Sequence, residues 1–300
     1  MGFFRRHQGR ASYALFPNYN HYVPGYGGMA MLFVMFLIGA FIGNILVGAL
    51  TLVSAEFATM YGTVISYPVM FIPPMLYASA HSRRNEYFET GYSLDSSHFG
   101  TLGGFSMAVI ASIATMATAF MADSVNTILP NPPEWFEQAM EILLEGPVWV
   151  TLLSVSVFAP LFEEWLCRGL VLRGLLQNTG PVTAISVSAL FFAILHMNPW
   201  QALPAFILGL LFGYVYYKTG SLKLTMLMHC VNNTMAVVFS KIPALAEAEN
   251  FTEVLSPWTY AGVFIACITF VASALVVLRN IPFSKEGARS NCDEIPPMTI

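Results

Sequence analysis

The sequence predicts an all-α, polytopic integral membrane bundle of about eight transmembrane helices, and three observations predict it. Of 300 residues, 56% are hydrophobic and only 10% are charged, against roughly 25% charged in an ordinary soluble domain. Mean hydropathy is +0.63. Apolar runs of spanning length also recur from one end of the chain to the other. A soluble protein of this size cannot bury that much apolar surface and still clothe its exterior in charge. Lipid is therefore the solvent for much of the chain.

A bilayer core asks for about 20 apolar residues per helix. Candidate spans are 28–55, 60–80, 102–122, 147–175, 182–197, 202–217, 222–240 and 258–278. The fourth is long and interrupted by ionisable residues. The fifth and sixth are short and separated only by Asn198, Pro199, Trp200 and Gln201, the pattern of a tight helical hairpin. The first run begins too late and runs too long for a cleaved signal peptide, so it reads as a retained span. The organisation expected is a polar N-terminal segment over 1–27, one transmembrane domain over 28–278 and a polar tail over 279–300.

Orientation follows from the Lys/Arg bias. Segments on one side hold Arg5, Arg6, Arg10, Arg83, Arg84, Arg173, Lys218, Lys223, Arg279, Lys285 and Arg289, whereas those on the other hold Lys241 alone. Both termini are accordingly expected in the cytoplasm. The outer loop 123–146 is acidic, with Trp135, Phe136, Met140 and Ile142 set among glutamates in 133–145, a composition that suits an interfacial helix and a plain connecting loop equally. A net charge of -4 and scattered cations exclude a nucleic-acid surface. Cys167, Cys230, Cys267 and Cys292 show no CxxC spacing, so neither a disulfide framework nor a thiolate metal site is expected. Gly39 with Gly43, and Gly209 with Gly213, form GxxxG pairs that let helices approach closely.

Ionisable residues inside spans cost roughly 3 kcal/mol each on insertion scales, so each needs a reason to be there. The fourth span carries Glu163, Glu164 and Arg168, the fifth His196, the seventh His229 and Asn233. Glu164 and Arg168 are i and i+4 and can pair on one helix face. Glu163 points about 100° away from its neighbour and has no cation nearby in sequence. His229 and Asn233 are again i and i+4. A braced acid beside a free one is a division of labour suited to general-base chemistry. A Glu–Arg pair taken alone is equally compatible with packing. Two glutamates, two histidines and an asparagine on three spans are hard to bury unless they converge.

The run Glu163-Glu164-x-x-x-Arg168, Phe192-x-x-x-His196, Phe206-x-x-Gly209-x-x-x-Gly213, Thr219-Gly220-Ser221-Leu222 and His229-x-x-x-Asn233 resembles the CAAX prenyl protease and bacteriocin-processing (CPBP, or Abi) family. The resemblance covers about 148–239 and rests on order and spacing together. It implies an intramembrane glutamic endopeptidase. By that resemblance Glu163 and His196 activate a water, His229 and Asn233 steady the oxyanion, and Glu164 and Arg168 brace the site. No cofactor is implied. The implied partners are a peptide or protein substrate at the membrane, lipidated or not, and the bilayer itself. Two other readings stay open at this point. One is a zinc protease using Glu163, His196 and His229 as ligands, a known kind of donor set although HExxH is absent. The other is a non-catalytic immunity or scaffold protein. His196 near the outer end of its span and His229 nearer the inner third of its own sit awkwardly at one depth.

Overall fold

The computed structural model describes residues 15–87, 93–246, 248 and 250–281, all helix and connecting turns. The expectations placed on Arg5, Arg6, Arg10, Lys285, Arg289 and Cys292 lie outside the described residues. All eight apolar runs are helical: α1 (Tyr26–Val53), α2 (Ala55–Asn85) and α3 (Gly103–Asn126) precede the acidic helix α4 (Glu134–Glu145). Then follow α5 (Val148–Asn178), α6 (Pro181–Leu195), α7 (Pro199–Thr219), α8 (Leu222–Phe239) and α9 (Pro257–Arg279). The chain is a multi-pass membrane protein in which six of these helices are long and apolar enough to cross a bilayer. The other two are α6, with 15 residues, and α8, diluted by His229, Asn232 and Asn233.

Close backbone approach fixes the pairs. A Cβ at Gly39 would stand 2.0 Å from the Met70 carbonyl oxygen, so α1 and α2 pack almost backbone to backbone there. A Cβ at Gly213 would meet Ile185 at 3.0 Å, and one at Gly209 would meet Ala189 at 3.1 Å, which seats α7 on α6. Both GxxxG pairs are thus consumed inside the fold. Met197 takes a left-handed conformation (φ 53°), and Asn198 caps α7 by accepting from Gln201 N at 2.9 Å, so the chain reverses directly after His196.

The helix ends sort into two sides. On one, Lys218 Nζ donates to the Arg279 carbonyl (3.1 Å), Lys223 pairs with Asp95 (3.0 Å), and Ser96 and His98 donate backbone N–H groups to Gly220 and Thr219. On the other, Lys241 Nζ donates to the Leu144 carbonyl (2.9 Å), and Trp200 Nε1 donates to the Pro130 carbonyl (2.8 Å). Helix α4 lies on that second side, its Phe136 ring 5.2 Å from Trp200.

Two features depart from expectation. The interruption of the fourth span is a change of winding rather than a break: α5 is continuous, but Leu152–Phe158 and Trp165–Leu172 are π-helical and flank the α-helical turn Ala159–Glu164. π-Turns concentrate at functional sites because they re-aim side chains without ending the helix. Residues 15–25, read from sequence as part of a loose polar segment, are packed on the bundle. Tyr19 lies edge-on to Trp165 at 5.0 Å, and both Tyr19 and Tyr22 are buried, which pushes their hydroxyls above the ordinary tyrosine range. The segment is held by Arg173, counted from sequence among the cations of one side and 1% exposed, which donates to the carbonyls of Tyr19, Asn20 and Tyr22.

Candidate active site

The α-helical turn between the two π-segments presents Glu163 and Glu164 to different neighbours. Glu164 and Arg168 are fully buried and joined at 2.6 Å (Oε1 to Nη1). Arg168 Nη2 also donates to the Gly209 carbonyl on α7 at 3.2 Å. The guanidinium lies 4.5 Å from the ring centre of Phe192 and 5.3 Å from that of Phe212. Charge pairing, a carbonyl and two aromatic faces together replace the water this cation gives up. The close approach at Gly209 is what lets the α7 carbonyl come within reach.

Glu164 Oε1 has a second donor. His229 on α8 places Nδ1 at 3.1 Å from it. A carboxylate held by Arg168 accepts, so Nδ1 carries the proton and Nε2 is left as the basic nitrogen. That Nε2 lies 3.8 Å from Glu163 Oε2. Glu163, which has no cation nearby in sequence, thus has an imidazole beside it that α8 brings across the bundle. Its other oxygen, Oε1, accepts the hydroxyl of Tyr67 on α2. The Glu163 side chain is 13% exposed and the His229 side chain 5%. Oε2 of Glu163 has no hydrogen-bond partner within the protein. These two acceptor-type atoms are 3.8 Å apart, too far for a direct hydrogen bond.

His196 closes α6 one turn beyond Phe192. Its Nδ1 lies 3.0 Å from the Phe192 carbonyl, which can only accept, so here too Nε2 is the basic nitrogen. Among the described residues no hydrogen bond or ion pair joins His196 to either glutamate. The Phe192 ring stands between the two imidazoles, edge-on to His196 at 5.1 Å and to His229 at 5.4 Å. His196 lies one turn beyond Phe192 on α6, and that ring separates it from His229. Asn233 Nδ2 donates to the Val155 carbonyl at 2.6 Å, inside the first π-segment, and its Oδ1 accepts from Asn232 at 3.0 Å. Its amide ties α8 to α5 where π-winding has freed a carbonyl.

Glu163, Glu164, Arg168 and His229 therefore form one connected cluster, with His196 and Asn233 each about a turn outward. Tyr67 is the member that sequence reasoning missed. The available signal was a tyrosine near the middle of α2, since tyrosines in spans usually sit at the interfaces. The donor set imagined for zinc does not gather: among the described residues no three His, Cys, Asp or Glu side chains are placed to hold a metal ion.

No curated protein and no solved structure matches the chain. Residues 145–235 match the family model of the type II CAAX prenyl endopeptidases, Rce1-like. The match runs from the start of α5 to within the last turns of α8 and holds all six residues singled out above, against the 148–239 anticipated from motif spacing. The helices that build the cluster fall within the matched segment, and over residues 145–235 the chain is similar to the type II CAAX prenyl endopeptidases of the Rce1-like type.

Proposed function

We propose that this protein is an intramembrane endopeptidase that hydrolyses a peptide bond in a membrane-associated substrate with a water activated by Glu163. One observation carries the reading. Within the family-matched segment, His229 reaches Glu164 through Nδ1 and faces Glu163 through Nε2. Two proton acceptors, Glu163 Oε2 and His229 Nε2, then flank one water position at bilayer depth.

In the proposed cycle the water oxygen attacks the scissile carbonyl carbon while Glu163 takes one of its protons, and His229 fixes the other O–H direction. The tetrahedral oxyanion is stabilised by donors on its open side, to which the second Nδ2 proton of Asn233 contributes. Collapse breaks the C–N bond, and the proton held by Glu163 passes to the leaving amine. General-base help of this kind supplies typically 10²–10⁴-fold, and donors preset at the oxyanion add about as much again. Glu164 and Arg168 hold His229 in one tautomer and orientation. Tyr67 holds one lobe of the Glu163 carboxylate, so the other is the one offered to water.

The substrate is proposed to be a peptide held at the membrane, of the prenylated CAAX type or an unlipidated hydrophobic peptide. The test is incubation of the purified protein with matched lipidated and unlipidated peptides, cleavage being read by mass spectrometry. Cleavage by the native chain and its loss in Glu163→Gln are expected. No cleavage of either set would overturn the reading in favour of a non-catalytic immunity or scaffold protein.

A further inference from the structure

Helix α9 is buried only near its basic end, through Ala274 and Leu278. Toward the acidic side it stands off from α3 and α8, and small residues on those helices (Ala117, Ala119, Ala236) leave a crevice of about 430 Å³. Its walls are apolar, with Ile113, Met116, Met235 and Val263 among them. That volume is within the range of roughly 300–1,000 Å³ typical of ligand sites. Phe120, Phe239 and Phe251 close its outer end, with ring centres 5.0 Å apart for Phe120 and Phe251.

Beyond those rings lies a second cavity of about 290 Å³ that shares Asp123, Ala236, Phe239 and Phe251 with the first. Its lining is more polar and includes Ser240 and Asn250. Asp123 faces both compartments. Its Oδ2 accepts the backbone N–H of Phe251 at 3.0 Å, and among the described residues no cation pairs with it. Lys241, the cation on this side, is turned to the Leu144 carbonyl. An apolar slot continuous with a polar chamber that holds one unpaired carboxylate has the shape and charge of an amphiphile site.

We propose that this crevice binds one phospholipid with an ethanolamine headgroup from the leaflet on the acidic side, its acyl chain in the apolar compartment and its ammonium at Asp123. The apolar part selects a hydrocarbon chain, because between Asn232 and Asp123 its walls are apolar and would leave a buried polar group unsatisfied. The carboxylate selects a cationic headgroup and repels an anionic one. A primary ammonium offers three N–H donors to Asp123 and Ser240, whereas a choline offers none. The orientation is set by the same asymmetry: the polar chamber lies at the helix ends on the acidic side and the apolar slot runs from it toward mid-bilayer. At its inner end Asn232 lines the slot and donates to Asn233 at 3.0 Å, so occupancy is in touch with the candidate site without being part of it. The proposal does not depend on Glu163 being catalytic.

The full chain, reconstituted in nanodiscs, would be photolabelled with ethanolamine, choline and glycerol phospholipids that carry the same photoreactive acyl chain. Labelled peptides would be mapped by mass spectrometry. The ethanolamine probe is expected to label 116–120, 235–239 or 263–267 in preference to the other two. Asp123→Asn should reduce that preference by about fivefold, the upper end for a partly exposed charge pair. Ala236 is exposed within the crevice, so Ala236→Phe should fill it and lower labelling by every probe while the melting temperature holds. Leu52→Phe, on the lipid-facing end of α1, should change neither. Equal labelling by all three headgroups, unaffected by Asp123→Asn, would overturn the proposal and leave ordinary solvating lipid. Displacement of label by a lipidated peptide but not by added ethanolamine phospholipid would also overturn it, assigning the crevice to a substrate's lipid group.

Discussion

His229 gives its Nδ1–H to Glu164 at 3.1 Å, and that bond makes one unit of two carboxylates that the helix itself points apart. Through it, the orientation of the imidazole facing Glu163 depends on a fully buried ion pair on α5. The adjacent glutamates therefore fail differently when altered.

Glu163→Gln preserves size and still accepts from Tyr67 but cannot take a proton. Turnover of a cleavable peptide should fall by about 10²–10⁴-fold or more with little change in melting temperature. A variant retaining more than a tenth of native activity would remove Glu163 from the proposed role.

Glu164→Gln leaves Arg168 buried without its counter-charge, and breaking such a pair by one partner costs about 3–5 kcal/mol. The expected result is a lower melting temperature in detergent and reduced yield. Arg168→Gln added to the same chain should recover part of that stability, and it should restore nothing to Glu163→Gln. Equal stability of the native chain and Glu164→Gln, measured by thermal melting, would contradict the pairing.

Tyr67→Phe removes the hydroxyl that fixes one Glu163 oxygen. Both carboxylate oxygens then compete for the water, and kcat should drop by about tenfold, the size expected for one charge-assisted hydrogen bond. Because Tyr67 donates to no other group, KM and the melting temperature should hardly move. A large fall in stability with unchanged kcat would reduce Tyr67 to a packing residue.

Prolonged dialysis against a chelator should leave hydrolysis intact, with less than about one zinc per chain by elemental analysis, because Glu163 takes the proton directly. Activity lost on chelation and restored by zinc would transfer the proposed water to a metal.

The cation bias also predicts sidedness. Cys292 in the C-terminal tail should be labelled only by reagents that reach the cytoplasm, and a cysteine replacing Glu141 on α4 only from the opposite face. Labelling of both from one face would break the alternation of eight antiparallel helices.

Much of this was legible in the sequence because lipid imposes a coarse and strict rule: every backbone polar group must be satisfied within its own helix. Apolar run length therefore located all eight helices, and i,i+4 spacing found the Glu164–Arg168 pair even though the turn after Glu164 is π-wound. What the sequence hid depends on contacts between distant segments. His229 stands 65 residues from Glu164 and Tyr67 stands 96 from Glu163, and neither separation leaves a local signature. The Phe192 ring that steps the two histidines apart is equally silent, since a phenylalanine in an apolar helix looks like any other core residue. The burial of Arg173 was hidden for a related reason. A cation near a span end usually reaches for water, and the carbonyls of Tyr19, Asn20 and Tyr22 that this one reaches instead lie far away in sequence.

The same arginine sets an order on assembly. Its carbonyl partners lie 151 to 154 residues earlier in the chain, so they leave the ribosome long before α5 exists. Until then the rings of Tyr19 and Tyr22 have no Trp165 turn or α5 backbone to rest on. Arg173 is held by the Gly169 carbonyl of its own helix as well as by those of Tyr19, Asn20 and Tyr22. Contacts of such long sequence separation form late, because the loop must close before they contribute. Residues 19–22 also rest on α2, where His21 N–H donates to Ser82 and Tyr22 meets Tyr77, so the Arg173 contacts are a second and later anchor that ties them to the basic end of α5. A short deletion within residues 19–22 would leave insertion of the early spans untouched and stall the chain at that later step.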